Sequence, residues 1–546
     1  MTTATQQMKL TKHDLKQLDY DYLDSLKVTP DKLLHLTKSL LHDLKAAVDR
    51  LNQNSENSSC PPGSDKPWDK MSDNQQSSED VEVEDSNPQD KNEFHTETPE
   101  GAKKSEETQE QSEKPQTLPV TSGKKPGKQP GASGYGRTWK PPVSLMEYHK
   151  ASHCSGCGAA FGETANFRQY TAYDCVDLIL GVPERPGCEV IVTRHALFDA
   201  VCPCGHTTRE AACRMPVNSL YSGVEVSEWR LIGSTFASFI VHLKMRMRLS
   251  LLRIRELILC QLGVPLSKGV LQKCIEESGA SAATLEDELA ADALGEFLLH
   301  ADETSWPQGS ERLWLWVFTT TLTVCYFIGG RTKAMFHNML SDKFNGWLMT
   351  DGYSAYRDYK KRLRCWAHLS RKGRGLKEST DSNACCFGSS ALQLMDTLQL
   401  AVYQWRESNK EHQATKELTG RYEEELKDFR RRCEVFSGSN HEKTRKLAVE
   451  FLKDWDAIFR VLEHPYLPLT NNDAERALRH WVIARRISYG TRTDTGSRVF
   501  ALLASVIDTC RKRQADSLKY LAEVINAART GQTTPPLPQP ILEAGV

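Results

Sequence analysis

A multidomain α+β protein, with a mixed sheet flanked by helices and interrupted by a helical insertion, is what this sequence predicts. Three observations lead there. The chain has 546 residues, more than one ordinary hydrophobic core organises. A long polar stretch divides it. Beyond that stretch, two apolar strand-like runs each meet an aspartate, 49 positions apart (351 minus 302), with two more strand patterns and a helix pattern between them.

Composition narrows the class. Hydrophobic residues make up 39% and charged residues 26%, as in folded soluble proteins, and no apolar run is long enough to span a bilayer. Met1 to Gln17 lacks the apolar stretch of a secretory signal, so the expected compartment is the cytosol, with no membrane partner. The formal net charge of −1 averages two opposite regions. Acids crowd residues 78–112 (Glu79, Asp80, Glu82, Glu84, Asp85 onward), and arginines are dense from Arg476 to Arg498, where a polyanion would bind. Sixteen cysteines in a long chain of this kind point to metal ligands or buried thiols, not to disulfides.

The N-terminal segment, 1–52, carries Leu33, Leu40 and Ala47 seven apart, with Leu44 and Leu51 in the adjoining row and Pro30 as a helix starter. So short a heptad pattern suits a helix packed on its own chain as well as one that pairs with a second copy. Residues 53–145 are rich in Ser, Glu, Gln, Lys, Pro and Gly and poor in large apolar groups, which predicts a disordered linker.

A zinc-binding-like module is expected over 146–215. Cys154 and Cys157 form a thiolate turn, and Cys202, Cys204 and His206 offer the remaining ligands for Zn²⁺, although a set of plain reduced cysteines is the alternative. A helix-turn-helix region is expected over 216–290. Leu251 to Leu262 reads as a helix, Gly263-Val-Pro-Leu266 breaks it, and Ser267 caps a second helix with Val270, Leu271, Cys274 and Ile275 on one face. Its outward residues Lys268, Gln272 and Lys273 are candidates for phosphate or base contacts, and the same pattern also serves as plain packing.

The region 291–490 holds the chemistry. Phe297-Leu-Leu-His-Ala leads to Asp302, and Gly346-Trp-Leu-Met-Thr leads to Asp351, each read as an acid at the end of a buried strand. The offset lets both lie side by side on adjacent central strands. Thr470-Asn-Asn-Asp-Ala-Glu475 reads as a capped helix start with Glu475 in the first turn, 124 positions after Asp351 (475 minus 351). Between them, about 376–462 is helix-patterned and forms the insertion. Residues 491–546 read as C-terminal helices and a Pro-rich tail. Three carboxylates can hold two Mg²⁺ or Mn²⁺ ions about 4 Å apart for phosphodiester chemistry. Any one such acid is more often an ordinary solvated residue; the weight rests on three together.

Four segments carry a resemblance: His300-Ala-Asp-Glu-Thr304, Asp351-Gly-Tyr-Ser-Ala-Tyr356, Cys365-Trp-Ala-His-Leu369 and Asn471-Asn-Asp-Ala-Glu-Arg-Ala-Leu-Arg479. In order and character the chain resembles the insertion sequence 66 family of bacterial DDE transposases, from near His153 to about Ala527. The resemblance implies an RNase H-like catalytic core, recognition of double-stranded DNA at transposon ends, strand cleavage by water and transfer by the freed 3′ hydroxyl into target DNA. It assigns Asp302, Asp351 and Glu475 as catalytic metal ligands for Mg²⁺ or Mn²⁺, and it places Arg476 and Arg479 in a matching motif as candidate DNA contacts. Partners it implies are a second copy of the chain and accessory proteins encoded by the same element. Two features depart from the family's pattern: the compressed Cys202-Pro-Cys204 pair and the Pro-rich ending Thr534 to Pro540. A catalytically inactive DNA-binding regulator, or a nuclease that never joins strands, would carry the same modules.

Overall fold

The computed structural model describes residues 30–51 and 139–540, apart from 163–164, 183, 212–213, 216–218, 222, 341–343 and 409–412. The expected linker, 53–145, lies outside the described residues as far as 138.

Helix α1 (Pro30–Leu51) starts at its proline as expected. Leu40 and Leu44 of the heptad rows are 42% and 62% exposed. The far end of the helix is fastened to its own chain, because Asp49 accepts hydrogen bonds from Ser379 Oγ at 2.7 Å and Thr380 N at 3.2 Å.

A first sheet is built on β2 (Phe167–Val182) and β3 (Arg185–Val201), a long antiparallel hairpin. β1 (Leu145–His149) runs parallel to β3 on its other side, and β4 (Thr207–Arg209) extends β3's far end. Val176, Leu178, Val192 and Ala196 are buried at period two, which sets the register. A small ladder, β5 (Arg214–Met215) with β6 (Val226–Ser227), leads to four helices. These are α2 (Ser234–Met245), α3 (Leu251–Leu262), α4 (Lys268–Ser281) and α5 (Leu285–Leu294). The expected helix, break and second helix are present: Ser267 Oγ accepts from Val270 N, and Gly263 ends α3 at φ 67°, a left-handed position that suits glycine.

The second sheet has the order β11-β10-β7-β8-β9. β7 (Leu298–Gln308), β8 (Glu311–Thr319) and β9 (Val324–Gly329) form an antiparallel meander. After α6 (Lys333–Leu340), β10 (Trp347–Thr350) and β11 (Arg362–Arg364) add in parallel on the other side of β7. The insertion follows as α7 (Trp366–Lys377), α8 (Ser382–Ser408), α9 (Glu417–Arg421), α10 (Glu423–Phe436), α11 (Glu442–Lys453) and α12 (Trp455–Phe459). It has a core of its own in which Phe387, Leu398, Phe429 and Phe451 are buried. The sheet is then covered by α13 (Asn472–Ser488) on β7 and β8 and by α14 (Asp494–Lys512) on β9.

The last helix, α15 (Ser517–Thr530), packs on α2 and α4, so the C-terminal segment is knitted to the helices that precede the sheet. Glu277 of α4 and Arg529 of α15 form a buried two-pronged pair, at 3.0 and 2.9 Å. The Pro-rich tail docks as well, since Leu537 is buried and its N–H donates to Glu288. No helix among the described residues is long and apolar enough to cross a membrane.

A second buried charge network anchors the insertion to the sheet. Asp454 accepts from Arg362 at 2.6 Å and from Arg357 at 3.1 Å, with Arg364 3.1 Å away. Burial alone would raise Asp454, but the three arginines outweigh it and hold the carboxyl below its ordinary 3.8. A lowered folded-state value means that the contribution is complete above the unfolded value and is lost as acid titrates the folded carboxylate. Wild-type stability should therefore fall below about pH 4, and Asp454→Asn should remove part of that slope in acid-unfolding curves.

Candidate active site

The second sheet sets two of the three predicted acids side by side, and Glu475, from a helix laid on that sheet, is near enough for its charge to act on Asp302. Strand β10 pairs with β7 at a constant offset, Trp347 opposite Leu298 through Met349 opposite His300, and the same offset of 49 sets Asp351 level with Asp302. Asp351 follows β10 directly, as expected. Asp302 does not end its strand: β7 runs on to Gln308, because Thr304 to Gln308 continue the pairing with β8. Both carboxylates are turned by local hydrogen bonds. Asp302 Oδ1 accepts from Glu303 N at 2.8 Å, and Asp351 Oδ1 accepts from Tyr353 N at 2.8 Å.

Glu475 comes from the first turn of α13, and the residue that sets this helix against β7 is Asn471. The sequence predicts a helix start capped by its Asn and Asp residues; Asn471 sits at the cap position, but its side chain makes no cap bond. Fully buried, it donates from Nδ2 to Ala301 O at 2.8 Å, and its Oδ1 meets His300 Nδ1 at 3.1 Å. The start of α13 is thereby tied to the residues just before Asp302. Asn471→Ala would leave a carbonyl and a ring nitrogen buried without partners, at about 1–3 kcal/mol. The expected result is a matching loss in denaturant unfolding.

Like charges are concentrated here. Burial raises the Asp302 carboxyl well above its ordinary range, and the negative charges of Asp351, Glu303 and Glu475 add to the effect. Glu303, not singled out from the sequence, is pushed up to about 7 by burial and by Asp351, although hydrogen bonds from Tyr356 and Arg331 oppose the rise. Arg331 holds it at 2.6 Å. The signal was in the sequence, as the second acid of the Asp302-Glu303 pair.

Glu475 faces α7. His368 Nδ1 lies 3.6 Å from Glu475 Oε1, and Arg371 lies 3.5 Å from Oε2. The first distance is too long for a hydrogen bond, and both atoms are buried without a hydrogen-bond partner. Burial, with Arg371 beside it, lowers His368 to about 4, so its ring is neutral near pH 7. Cys365, His368 and Glu475 bring possible ligand atoms within 4.8 Å of one another. Of the two candidate DNA contacts beside Glu475, Arg479 is exposed with no ion pair among the described residues, and exposed Arg476 pairs with Asp473 at 2.5 Å.

The other predicted site residues fall in two places. Four sulfurs, of Cys154, Cys157, Cys202 and Cys204, lie within 4.8 Å of one another, with Cys154 to Cys204 at 3.8 Å and Cys157 to Cys202 at 3.6 Å. His206 is not among them; its Nε2 bonds Ser155 Oγ at 2.9 Å. Gly158 and Gly205, at φ 74° and 86°, turn the chain after each cysteine pair. Backbone N–H groups, first that of Cys157, pull the Cys154 thiol down to about 6. On α4, Lys268, Gln272 and Lys273 are all exposed, with Val270 half-buried and Leu271, Cys274 and Ile275 buried beneath them.

A family model described as "Transposase IS66 family" matches residues 230–499, which contain all three acids and α2 to α4. Uncharacterized protein y4qI of Sinorhizobium fredii is 25% identical over 305 residues, covering 51% of this chain and 56% of that protein. Uncharacterized protein y4jO of the same organism is 32% identical over 111 residues, 20% of this chain and 34% of its own length. The chain thus spans about half of one curated relative and a third of the other. With the family model lying across the site and the helices that precede it, the chain belongs to the IS66 family of transposases.

Proposed function

We propose that this protein cleaves DNA at transposon ends and joins the freed ends to target DNA, with Asp302, Asp351 and Glu475 as the carboxylates of a DDE site. The observation that carries this is the approach of three half-buried acids, from β7, the end of β10 and the start of α13, whose negative charges oppose one another. An order of three antiparallel strands followed by two parallel ones beside the first supports an RNase H-like core.

The residues fit divalent cations. Asp302 is destabilised as an anion by burial and by its acidic neighbours, and Glu475 Oε1 is buried without a partner, both of which a bound cation would relieve. Asp302, Asp351 and Glu475 would hold Mg²⁺ or Mn²⁺, which when bound supplies activation of an attacking hydroxyl and neutralisation of the leaving oxygen. The chain's own residues set the geometry. The turn at Asp351 aims that carboxylate, Asn471 fixes the height of Glu475 against β7, and His368 and Arg371 limit its rotation. Arg331 and Tyr356 hold Glu303 out of the triad.

DNA recognition is assigned to the earlier modules. Lys268, Gln272 and Lys273 project from the second helix of a helix-turn-helix, where they would meet the major groove, and exposed Arg476 and Arg479 flank Glu475, where they would meet phosphates. The four-sulfur cluster suits a structural Zn²⁺ site without His206, because its S···S separations are those of ligands on a tetrahedral ion with bonds of about 2.3 Å.

The test is incubation of the purified chain with a labelled transposon-end duplex, Mg²⁺ or Mn²⁺ and a target plasmid. Joined products from ends bearing a 3′ hydroxyl, absent from 3′-deoxy ends and from Asp302→Ala protein, are expected. Cutting with no joined product would reduce the activity to a nuclease, and specific binding with no cutting would leave a regulator.

A further inference from the structure

The first sheet carries a second group of converging ligand atoms that neither the family match nor the proposed function uses. Glu147 lies opposite His195 in the β1–β3 register, and His149 is two residues further along the same face of β1. His149 Nε2 is 2.9 Å from His195 Nδ1, Glu147 Oε2 is 3.2 Å from that nitrogen, and Glu147 Oε2 is 3.9 Å from His149 Nε2.

Hydrogen bonding alone does not satisfy this triangle. Both close contacts meet at His195 Nδ1: with a proton there, one N–H faces two acceptors or opposes the N–H of His149, and without one the nitrogen faces the Glu147 carboxylate lone pair to lone pair. A cation removes the conflict. The three separations admit a point about 2.0 Å from all three atoms, and their mean is close to the roughly 3.3 Å between ligands on a tetrahedral ion with bonds of 2.0–2.1 Å. The rings are held in place from one side: Tyr173 stacks on His195 at 4.7 Å between centroids, and Trp229 stacks on Tyr173 at 5.5 Å.

We propose that Glu147, His149 and His195 form a second metal site, for Zn²⁺ or a similar borderline divalent ion, with its fourth position open to water. Its role is to clip β1 to β3. β1 is a five-residue parallel edge strand with four residues exposed, too short and too little buried to be held firmly by its ladder alone. The site is separate from the four-cysteine cluster, since His195 and Cys202 are seven residues apart along β3 and its end, roughly 23 Å of extended chain.

Zinc is measured by atomic emission on the full, tag-free chain after dialysis against excess Mg²⁺, which keeps the acidic site occupied. The variant Glu147→Gln with His195→Gln is expected to carry one zinc fewer per chain than wild type, and Cys154→Ser with Cys157→Ser also one fewer, the two losses adding. Co²⁺ titration into metal-free wild-type protein gives a reading that needs no variant. One equivalent should build a thiolate charge-transfer band, and a second should add ligand-field absorption without that band. Equal zinc in wild type and the Glu147/His195 variant, or Co²⁺ absorption complete at one equivalent, overturns the proposal.

Discussion

Asp351→Asn is expected to abolish strand cleavage and joining while leaving affinity for transposon-end DNA within about twofold. The substitution keeps the shape of the side chain, and its Oδ1 can still accept from Tyr353 N, so the turn after β10 survives. What it removes is one negative charge from the divalent-cation site proposed for these acids. A metal that stabilises developing charge contributes several kcal/mol, and a loss of about 4 kcal/mol corresponds to roughly a thousandfold in rate. Binding should persist because the proposed DNA contacts, Lys268, Gln272 and Lys273, lie on α4, in the region before the strands that carry Asp302 and Asp351. Gel-shift titration and single-turnover cleavage on one protein preparation separate the two effects. Cleavage within tenfold of wild type would remove Asp351 from the site.

Arg529→Met should cost about 3–5 kcal/mol of stability, the largest effect expected far from the acids. Arg529 and Glu277 are both almost fully buried, and Arg230 adds a further contact to the same carboxylate at 3.3 Å. Losing Arg529 leaves Glu277 charged, buried and mostly unpaired, the situation that makes broken internal ion pairs expensive. Arg529 also donates to Ile232 O at 2.7 Å, so the loss frees a buried carbonyl as well. The double variant Arg529→Met with Glu277→Leu should recover most of the stability, because two apolar side chains of similar volume need no partners. Denaturant unfolding of the two variants beside wild type checks both statements; a double variant no better than the single one would mean that packing, not the charge, is what Arg529 provides.

Much of this was legible in the sequence, and the failures have physical reasons. The alternation of apolar runs and turns located β7 to β10, and the offset of 49 between Asp302 and Asp351 is the register of β10 on β7. The two serine and glycine signals around Gly263 and Ser267 marked the ends of α3 and α4 because capping is a local interaction. Nonlocal partners were not legible. Asn471 looks like a cap in sequence, yet it serves as a clamp to Ala301, 170 residues earlier. The neighbours of Glu475 are on α7, at His368 and Arg371, a pairing that depends on how the insertion folds back. His206 has the composition of a zinc ligand, but the turn at Gly205 sends its ring to Ser155. The Glu147, His149 and His195 triangle depends on which two strands pair, and only the fold decides that.

Joint binding of one set of metal ions by Asp302, Asp351 and Glu475 can be read by changing the hardness of one ligand. Glu475→Cys protein should be inactive on transposon-end DNA in Mg²⁺ and regain cleavage in Mn²⁺ or Cd²⁺, because a thiolate prefers softer ions than a carboxylate does. Glu475→Ala should regain nothing in either metal. Activity of Glu475→Cys in Mg²⁺ equal to wild type, or rescue of Glu475→Ala to the same extent, would contradict the assignment.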